Sequence, residues 1–496
     1  MATRLLAATL HGADAVPIDI EVDLLRRLPG VCVVGLAAHA IRESAERIRS
    51  AFTSAGLEFP RKRVVVNLAP ADLKKDGTSF DLPIAAAILA ADGAVPEEAA
   101  ASHLLLGELS LGGELREVRG AIAFAILARA LDKTLVLPVA SAAQAAWVPG
   151  VRVLAARSLG EVVAHLRGET ALPVAAPSGV LRGAHAPDLR DVRGQDLGRR
   201  ALEIAAAGGH HLLMIGPPGC GKSMLARRLP SILPEMDFEE ALASARIWDA
   251  AGLPARDGLT TTRPFRAPHH SVTGAGLLGD RTLRPGELAL AHHGVLFLDE
   301  ATEFPRSTLD TLRTPLEEGR VRIARADGAV EFPCAATLVL ACNPCPCGMR
   351  GSEHPCRCAD SEVLRYRSRL SGPLLDRVDL HVELGAVPVG ALLDAPEGET
   401  SAAVRARVAA ARRAQITRGQ PVPNARLEPA ELDEIPQESA ALDTVRDAAA
   451  RFAMSSRAVG RIRRVALTLA DLEGSDRILA RHVAEALAFR TLPGVC

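Results

Sequence analysis

Eight consecutive residues constrain the fold of this 496-residue chain more than any other feature. Gly216-Pro217-Pro218-Gly219-Cys220-Gly221-Lys222-Ser223 follows the apolar run His211-Leu212-Leu213-Met214-Ile215 and precedes the helix-compatible stretch MLARRLPSIL. Strand, glycine-rich turn and helix in that order are the setting in which G-x-x-x-x-G-K-S forms a phosphate-binding loop. The apolar run then reads as a buried parallel strand. The glycines let backbone N–H groups turn inward around phosphate oxygens, and the helix N-terminus adds favourable potential. Lys222 neutralises the β- and γ-phosphates of ATP, and Ser223 can ligate Mg²⁺. The plainer reading is a glycine-rich turn followed by an ordinary surface lysine. Composition weighs against it: the chain has five lysines (Lys62, Lys74, Lys75, Lys133, Lys222) against 53 arginines, and only Lys222 lies beyond residue 133. Arginine's planar fork is bulkier than the compact ammonium a phosphate cradle accepts, which explains why a lysine persists there.

Hydrolysis needs a metal carboxylate and a group that orients water. Gly294-Val295-Leu296-Phe297-Leu298-Asp299-Glu300 has the pattern of a buried strand ending in two acids. Asp299 would hold Mg²⁺ through water and Glu300 would orient the attacking water. Two acids that merely cap the next helix are the plain alternative. Thr337-Leu338-Val339-Leu340-Ala341-Cys342-Asn343-Pro344 is another apolar strand, ending in an amide placed to reach a γ-phosphate or the lytic water. Leu374-Leu375-Asp376-Arg377-Val378-Asp379-Leu380 sets an arginine among apolar residues and acids, where a salt bridge to Asp376 or Asp379 is the simple reading.

Cys345-Pro346-Cys347 and Cys356-Arg357-Cys358 make C-x-C-x8-C-x-C directly after Asn343-Pro344. A short loop can gather four such thiols around a tetrahedral ion, and zinc is the ion that four thiolates favour. Unmetallated thiols and a labile disulfide pair are the alternatives, and His354 could replace one ligand. Cys32, Cys220, Cys334, Cys342 and Cys496 read as single residues. Nine cysteines without an export signal point to a reducing compartment, so a cytoplasmic protein is expected. No stretch approaches the ~18 uninterrupted apolar residues of a membrane span.

At 48% apolar and 24% charged residues, a chain of this length should form about three globular units. Boundaries fall at 168, where the Pro- and Gly-containing stretch 169–190 reads as a linker, and near 395. An N-terminal unit (1–168), a central unit (191–395) and a helical tail (396–496) result. The formal charge of −1 excludes only an indiscriminately basic surface, so any nucleic-acid contact must be local. Two arginine-bearing segments qualify: 263–284, with Arg263, Arg266, Arg281 and Arg284, and the strand-turn-strand 320–328, in which Arg320 and Arg322 alternate onto one face.

The order of phosphate loop, Phe297-Leu298-Asp299-Glu300, the strand ending Asn343-Pro344, and Leu374–Leu380 resembles the AAA+ ATPases of the magnesium-chelatase and MCM branch. The words Pro264 to Ser271, Arg284 to Gly294, Leu312 to Ala326, Ala341 to Gly348 and Arg365 to Arg377 are similar to the ComM/YifB subfamily over nearly the whole chain. That resemblance implies an α/β multidomain protein: an α+β N-terminal domain of the Lon-protease (ribosomal S5 domain 2-like) type, an AAA+ P-loop core and a C-terminal helical lid. It implies Asn343 as sensor 1, Arg377 as an arginine finger acting on a neighbouring subunit, Arg457 as sensor 2 and a homo-oligomeric, hexameric ring. It further implies hairpins, here 263–284 and 320–328, that project into the ring's pore. The other arginines of 451–464 then read either as a solvated helix face or as phosphate contacts.

The implied function is an ATP-driven DNA motor, a branch-migration helicase supporting recombination in natural transformation. A metal-insertion ATPase subunit of the magnesium-chelatase type is the alternative. A Lon-type protease is disfavoured: Ser79 takes the nucleophile's place in Lys75-Asp76-Gly77-Thr78-Ser79, but Ile122 stands where the family's lysine base would be, and an unactivated serine is a weak nucleophile.

Overall fold

The computed structural model describes residues 2–34, 39–70, 79–181, 187–253, 258–280, 282–325, 328–352, 354–387 and 396–490. Lys74, Lys75, Arg281 and Cys496 therefore lie outside the described residues, as does the turn of the 320–328 segment at 326 and 327.

Near the N-terminus, Thr3–His11 pairs antiparallel with Asp14–Leu25, which pairs with Arg63–Ala69, and Gly30–Val34 runs parallel on the far edge. Ile18, Ile20 and Val22 are buried while the residues between them are not, the period-two pattern of a sheet with one face on a core. Helix Asp81–Ala91 supplies that core and is buried almost throughout, which matches its uninterrupted apolar sequence. Its first residue, Asp81, is a buried carboxylate satisfied by Arg47 Nε at 2.7 Å and by the Leu109 N–H at 3.2 Å. The expected hairpin is present, with Glu108 opposite Arg116 and Leu109 opposite Leu115. A three-stranded parallel sheet of His103–Leu105, Thr134–Pro138 and Val153–Ala156 completes this part.

The central unit is built on a five-stranded parallel sheet in the order Phe265–Arg266, Val295–Leu298, Thr337–Cys342, Leu212–Ile215, Leu380–Glu383. All residues of Leu212–Ile215 and Val295–Leu298 are buried, because helices cover both faces; this is why their sequences run continuously apolar. The phosphate-loop strand thus lies between the strand that ends before Asn343 and the one that follows Arg377. After residue 396 the structure is helical: Ser401–Thr417, Ser439–Arg451, Ser456–Glu473 and Ala480–Ala488 are the main segments. Their apolar residues, Val408, Ile462, Val465 and Leu469 among them, share one cluster with Leu202, Leu225 and Met214 of the central unit.

The 169–190 stretch does not run free. The N–H of Ala155 donates to Pro173 O and that of Ala175 to Val153 O, which covers the open edge of the three-stranded sheet. Val180–Leu181 then pairs with Leu259–Thr260. Proline and glycine remove periodicity from a sequence without relieving the backbone of its hydrogen-bonding needs, so an extended segment lying along a sheet edge reads as a linker.

The N-terminal and central units are also joined directly. Ile122 and Phe124 share a cluster with Met236, Leu242 and Leu259. Asp249, on helix Phe238–Ala251, accepts from the N–H groups of Gly120 (2.9 Å) and Ile122 (3.1 Å) at the start of helix Ala121–Ala130. A carboxylate satisfies orphan donors at a helix N-terminus well. The turn at Gly12, with φ of +70°, seats against the 320–333 hairpin so closely that a Cβ there would meet Val330 Cγ1 at 2.2 Å.

Burial pushes the Asp249 carboxyl up to about 6, and the nearby Glu117 carboxylate pushes the same way against the backbone donors. A carboxyl whose folded pKa is raised contributes stability that is complete below the unfolded value and lost as pH rises through the folded one. Between pH about 4 and 6 the wild type should therefore lose on the order of 3 kcal/mol relative to Asp249→Asn. Melting curves of both proteins across that range measure the difference, and parallel curves would contradict it.

Candidate functional site

Gly219 and Gly221 take φ of +78° and +94°, left-handed conformations that glycine adopts without strain, and Gly221 leads into helix Lys222–Ile232. The loop therefore ends with a helix N-terminus facing its concave side. The Lys222 ammonium is buried and donates to Gly216 O (2.6 Å), Pro217 O (2.9 Å) and Asn343 Oδ1 (3.3 Å). All three acceptors are neutral, so the positive charge is hydrogen-bonded without being cancelled. That arrangement fits an anionic ligand such as a polyphosphate.

Ser223 Oγ donates to Asp299 Oδ2 at 2.6 Å, bringing a hydroxyl and a carboxylate from two strand ends together. Hard oxygen donors of this kind suit Mg²⁺, which takes few protein ligands and keeps several waters. The N–H of Glu300 donates to Asp299 Oδ1 at 3.0 Å and holds that carboxylate in place. Glu300 has φ of +50° and ψ of +45°, a costly conformation for a residue with a side chain, and its carboxylate is 60% exposed. Lys222, Ser223, Asp299, Glu300 and Asn343 thus gather at the C-terminal edge of one parallel sheet, where open α/β folds place ligands.

Three supporting residues were not legible in the sequence. Gln195 is buried and donates to Cys220 O (2.9 Å) and Gly385 O (2.8 Å), bracing the phosphate loop. Tyr366, the only tyrosine, accepts from Thr302 Oγ1 at 2.6 Å and fixes the turn after Glu300. His211 Nδ1 accepts the Leu338 N–H at 3.0 Å, and burial lowers its pKa to about 4, so it remains the neutral acceptor this bond needs. No local pattern marks these residues, because every partner is distant in sequence or lies on the backbone.

Cys345, Cys347, Cys356 and Cys358 bring their sulfurs within 4.8 Å of one another. Cys345 Sγ lies 3.4 Å from Cys347 Sγ and 3.7 Å from Cys356 Sγ, and the last two are 3.6 Å apart. Four thiolates bound tetrahedrally at about 2.3 Å would stand about 3.8 Å apart, so the donor set fits a single thiophilic ion. Backbone donation from Met349, followed by the Cys358 thiol, pulls the Cys347 thiol down to about 6. Cys342 has the opposite setting: burial pushes it up to about 12, and it serves as packing. His354 lies outside the group. The loop touches the phosphate site, since a Cβ on Gly348 would meet Pro218 Cδ at 2.7 Å.

The remaining arginines are placed less simply. Arg377 pairs with Glu317 at 2.7 Å and donates to Arg313 O at 2.8 Å, so its ionic partner is neither Asp376 nor Asp379. Those acids face Arg461, at 3.8 and 3.6 Å. Arg457 is exposed in the first turn of Ser456–Glu473 and has no ion pair among the described residues. Arg266 is held by Glu287 through two bonds of 2.6 and 2.8 Å and lies over the Trp248 ring, so it is engaged within the chain. Arg320 and Arg322 do share a face of the 320–333 hairpin, but Glu331 pairs with both, at 3.3 and 3.7 Å.

Parallel-sheet topology, a glycine-rich phosphate loop and two acids at the neighbouring strand end define a P-loop nucleotide-site protein. The model described as magnesium chelatase, subunit ChlI, matches residues 188–392; a second ChlI model matches 20–141 and a ChlI C-terminal model 398–490. The YifB protein of Salmonella typhimurium is 42% identical over 486 residues, covering 97% of this chain and 95% of its own length. The competence protein ComM of Haemophilus influenzae is 41% identical over 495 residues, covering 97% and 96%. A probable DNA helicase, MCM9 of Oryza sativa, is 27% identical over 170 residues, 34% of this chain and 21% of its own. The chain belongs to the magnesium-chelatase-like AAA+ family, in the group of YifB and ComM proteins. No helix among the described residues is long and apolar enough to cross a membrane.

Protein purified without chelators should carry about one thiophilic divalent ion per chain by elemental analysis. Cys356→Ser together with Cys358→Ser should abolish that content and weaken nucleotide binding, because the loop packs on Pro218. Metal-free wild type would refute the assignment.

Proposed function

We propose that the chain is an ATP-hydrolysing motor acting on DNA as a homo-oligomeric, hexameric ring, with branch migration during uptake and recombination of DNA as its task. The observation that carries this reading is the convergence of Lys222, Ser223, Asp299, Glu300 and Asn343 in a chain that matches a competence protein along nearly its whole length. The similarity of a shorter region to a probable DNA helicase supports the same direction.

In this reading residues 216–223 cradle the phosphates, with Lys222 exchanging a carbonyl partner for a phosphate oxygen. Ser223 and Asp299 hold Mg²⁺, which when bound offsets the charge between the β- and γ-phosphates. Glu300 orients the attacking water, and Asn343 holds it or the γ-phosphate. Arg377 serves the neighbouring subunit's site and must leave Glu317 to do so; Arg457 contacts the γ-phosphate from the tail. The four thiols hold zinc, which fastens the loop between Asn343 and the segment bearing Arg377. Residues 1–168 form a Lon-type scaffold, 169–190 a connection, 191–395 the AAA+ core and 396–496 the lid. A protease reading gains no support, since Ile122 is fully buried and its N–H is committed to Asp249.

A metal-insertion ATPase is the second reading, favoured by the description of the matching family model. An ATPase assay with single-stranded, duplex and four-way-junction DNA separates the two. Stimulation by DNA is expected, with loss of about 100-fold or more in Lys222→Ala and Glu300→Gln. Stimulation by a chelatase partner and by no DNA would reverse the ranking. Changing Arg320 and Arg322 together to Ala should weaken DNA binding and flatten its salt dependence by about two phosphate contacts per subunit. Unchanged affinity and slope would remove this hairpin from the interface.

A further inference from the structure

Among the described residues, the Glu300 carboxylate has one ionic partner, His270, whose Nδ1 lies 3.8 Å from Glu300 Oε2. It makes no bond to Lys222, Ser223 or Asn343, whose hydrogen bonds go to one another, to Asp299 and to the phosphate loop. The group that should face the water is instead turned toward the segment 263–284.

That segment is built to deliver His270 there. Phe265–Arg266 runs parallel beside Val295–Leu296 at the edge of the sheet, so the residues after Arg266 leave at the same end as Asp299 and Glu300. Arg266 is anchored by Glu287. The His270 ring stacks on His269 with centroids 4.0 Å apart, and its edge meets Phe304 at 6.4 Å. Phe304 is itself buried, so the ring has one fixed wall. His269 is held in turn by Ser271, 2.9 Å from its Nδ1. An imidazole so placed restrains a carboxylate through one contact that a small movement of the segment would break.

We propose that His270 is a positioning residue that holds Glu300 away from the lytic water, and that a nucleic-acid strand bearing on the 263–284 segment releases it. This rests on the ATP-hydrolysing reading given above. Its chemistry is simple: a carboxylate whose lone pairs face an imidazole is a poorer acceptor for water, and withdrawing the imidazole restores it. The segment that faces the polyanion thereby sets the rate at which the phosphate site works.

The test is steady-state ATPase activity of the full chain, with and without single-stranded DNA, for wild type, His270→Ala and His270→Asn. His270→Ala should raise the DNA-free kcat about three- to tenfold with an unchanged KM for ATP, and should compress the stimulation by DNA. His270→Asn, which keeps a donor at the Nδ1 position, should restore the wild-type values. The ring is partly exposed, so equal melting temperatures are expected and exclude a merely structural effect. An unchanged DNA-free kcat in His270→Ala, or a fall in both conditions, overturns the proposal while leaving the ATPase reading intact. Wild type that hydrolyses no ATP in either condition overturns both.

Discussion

A buried ammonium must be surrounded by acceptors, and here that requirement organises the working edge of the sheet. Lys222 reaches Gly216 O and Pro217 O within its own loop and Asn343 Oδ1 across the adjacent strand. Those bonds set the curvature of the loop and its distance from Asn343 together. Ser223, the next residue, then falls beside Asp299, and the short step from Asp299 to Glu300 needs a left-handed backbone at Glu300. A shift of one register between the parallel strands would place Asn343 and Asp299 on the wrong side of the sheet and leave the ammonium unsatisfied.

The same economy of polar groups joins the parts of the chain. His210, just before the phosphate-loop strand, bridges Asp379 at 3.0 Å and Thr468 at 2.8 Å, and Arg461 lies beside Asp379. One buried set of groups therefore connects the phosphate-loop strand, the turn carrying Arg377 and the helix that begins near Arg457. A displacement of that helix is felt at Asp379 because a partly broken buried network costs more than an intact one. Asp249 plays the corresponding part toward the N-terminal unit, and the turn at Gly12 braces the hairpin bearing Arg320 and Arg322. The N-terminal unit is thus fastened to the central one by apolar packing, a helix cap and a close backbone approach.

Legibility in the sequence followed the range of the interaction. The phosphate loop, the acids after Val295–Leu298, the amide after Thr337–Cys342 and the paired C-x-C words are all local, and each stands on a strand end or loop suited to its chemistry. The covering role of 172–175 was hidden because its partners are the N–H and C=O groups of a strand some twenty residues earlier. Arg377 was expected to pair with its neighbours Asp376 and Asp379, but the turn aims it at Glu317 and gives those acids to Arg461. Arg266 looked available for a phosphate backbone, and Glu287 takes both of its donor edges. His270 carried no signal, since nothing near it in the chain announces a carboxylate.

By itself, the sequence determined which groups this protein brings to a polyphosphate, which strands must be buried and which four thiols form a set. Each follows from residues close together in the chain, where backbone geometry and side-chain chemistry leave few options. Only the tertiary structure decided which charges are already committed and which remain open to a ligand. An arginine's partner, a histidine's carboxylate or an aspartate's helix is chosen by strand order and domain packing, which bring together groups that the sequence keeps tens to hundreds of residues apart.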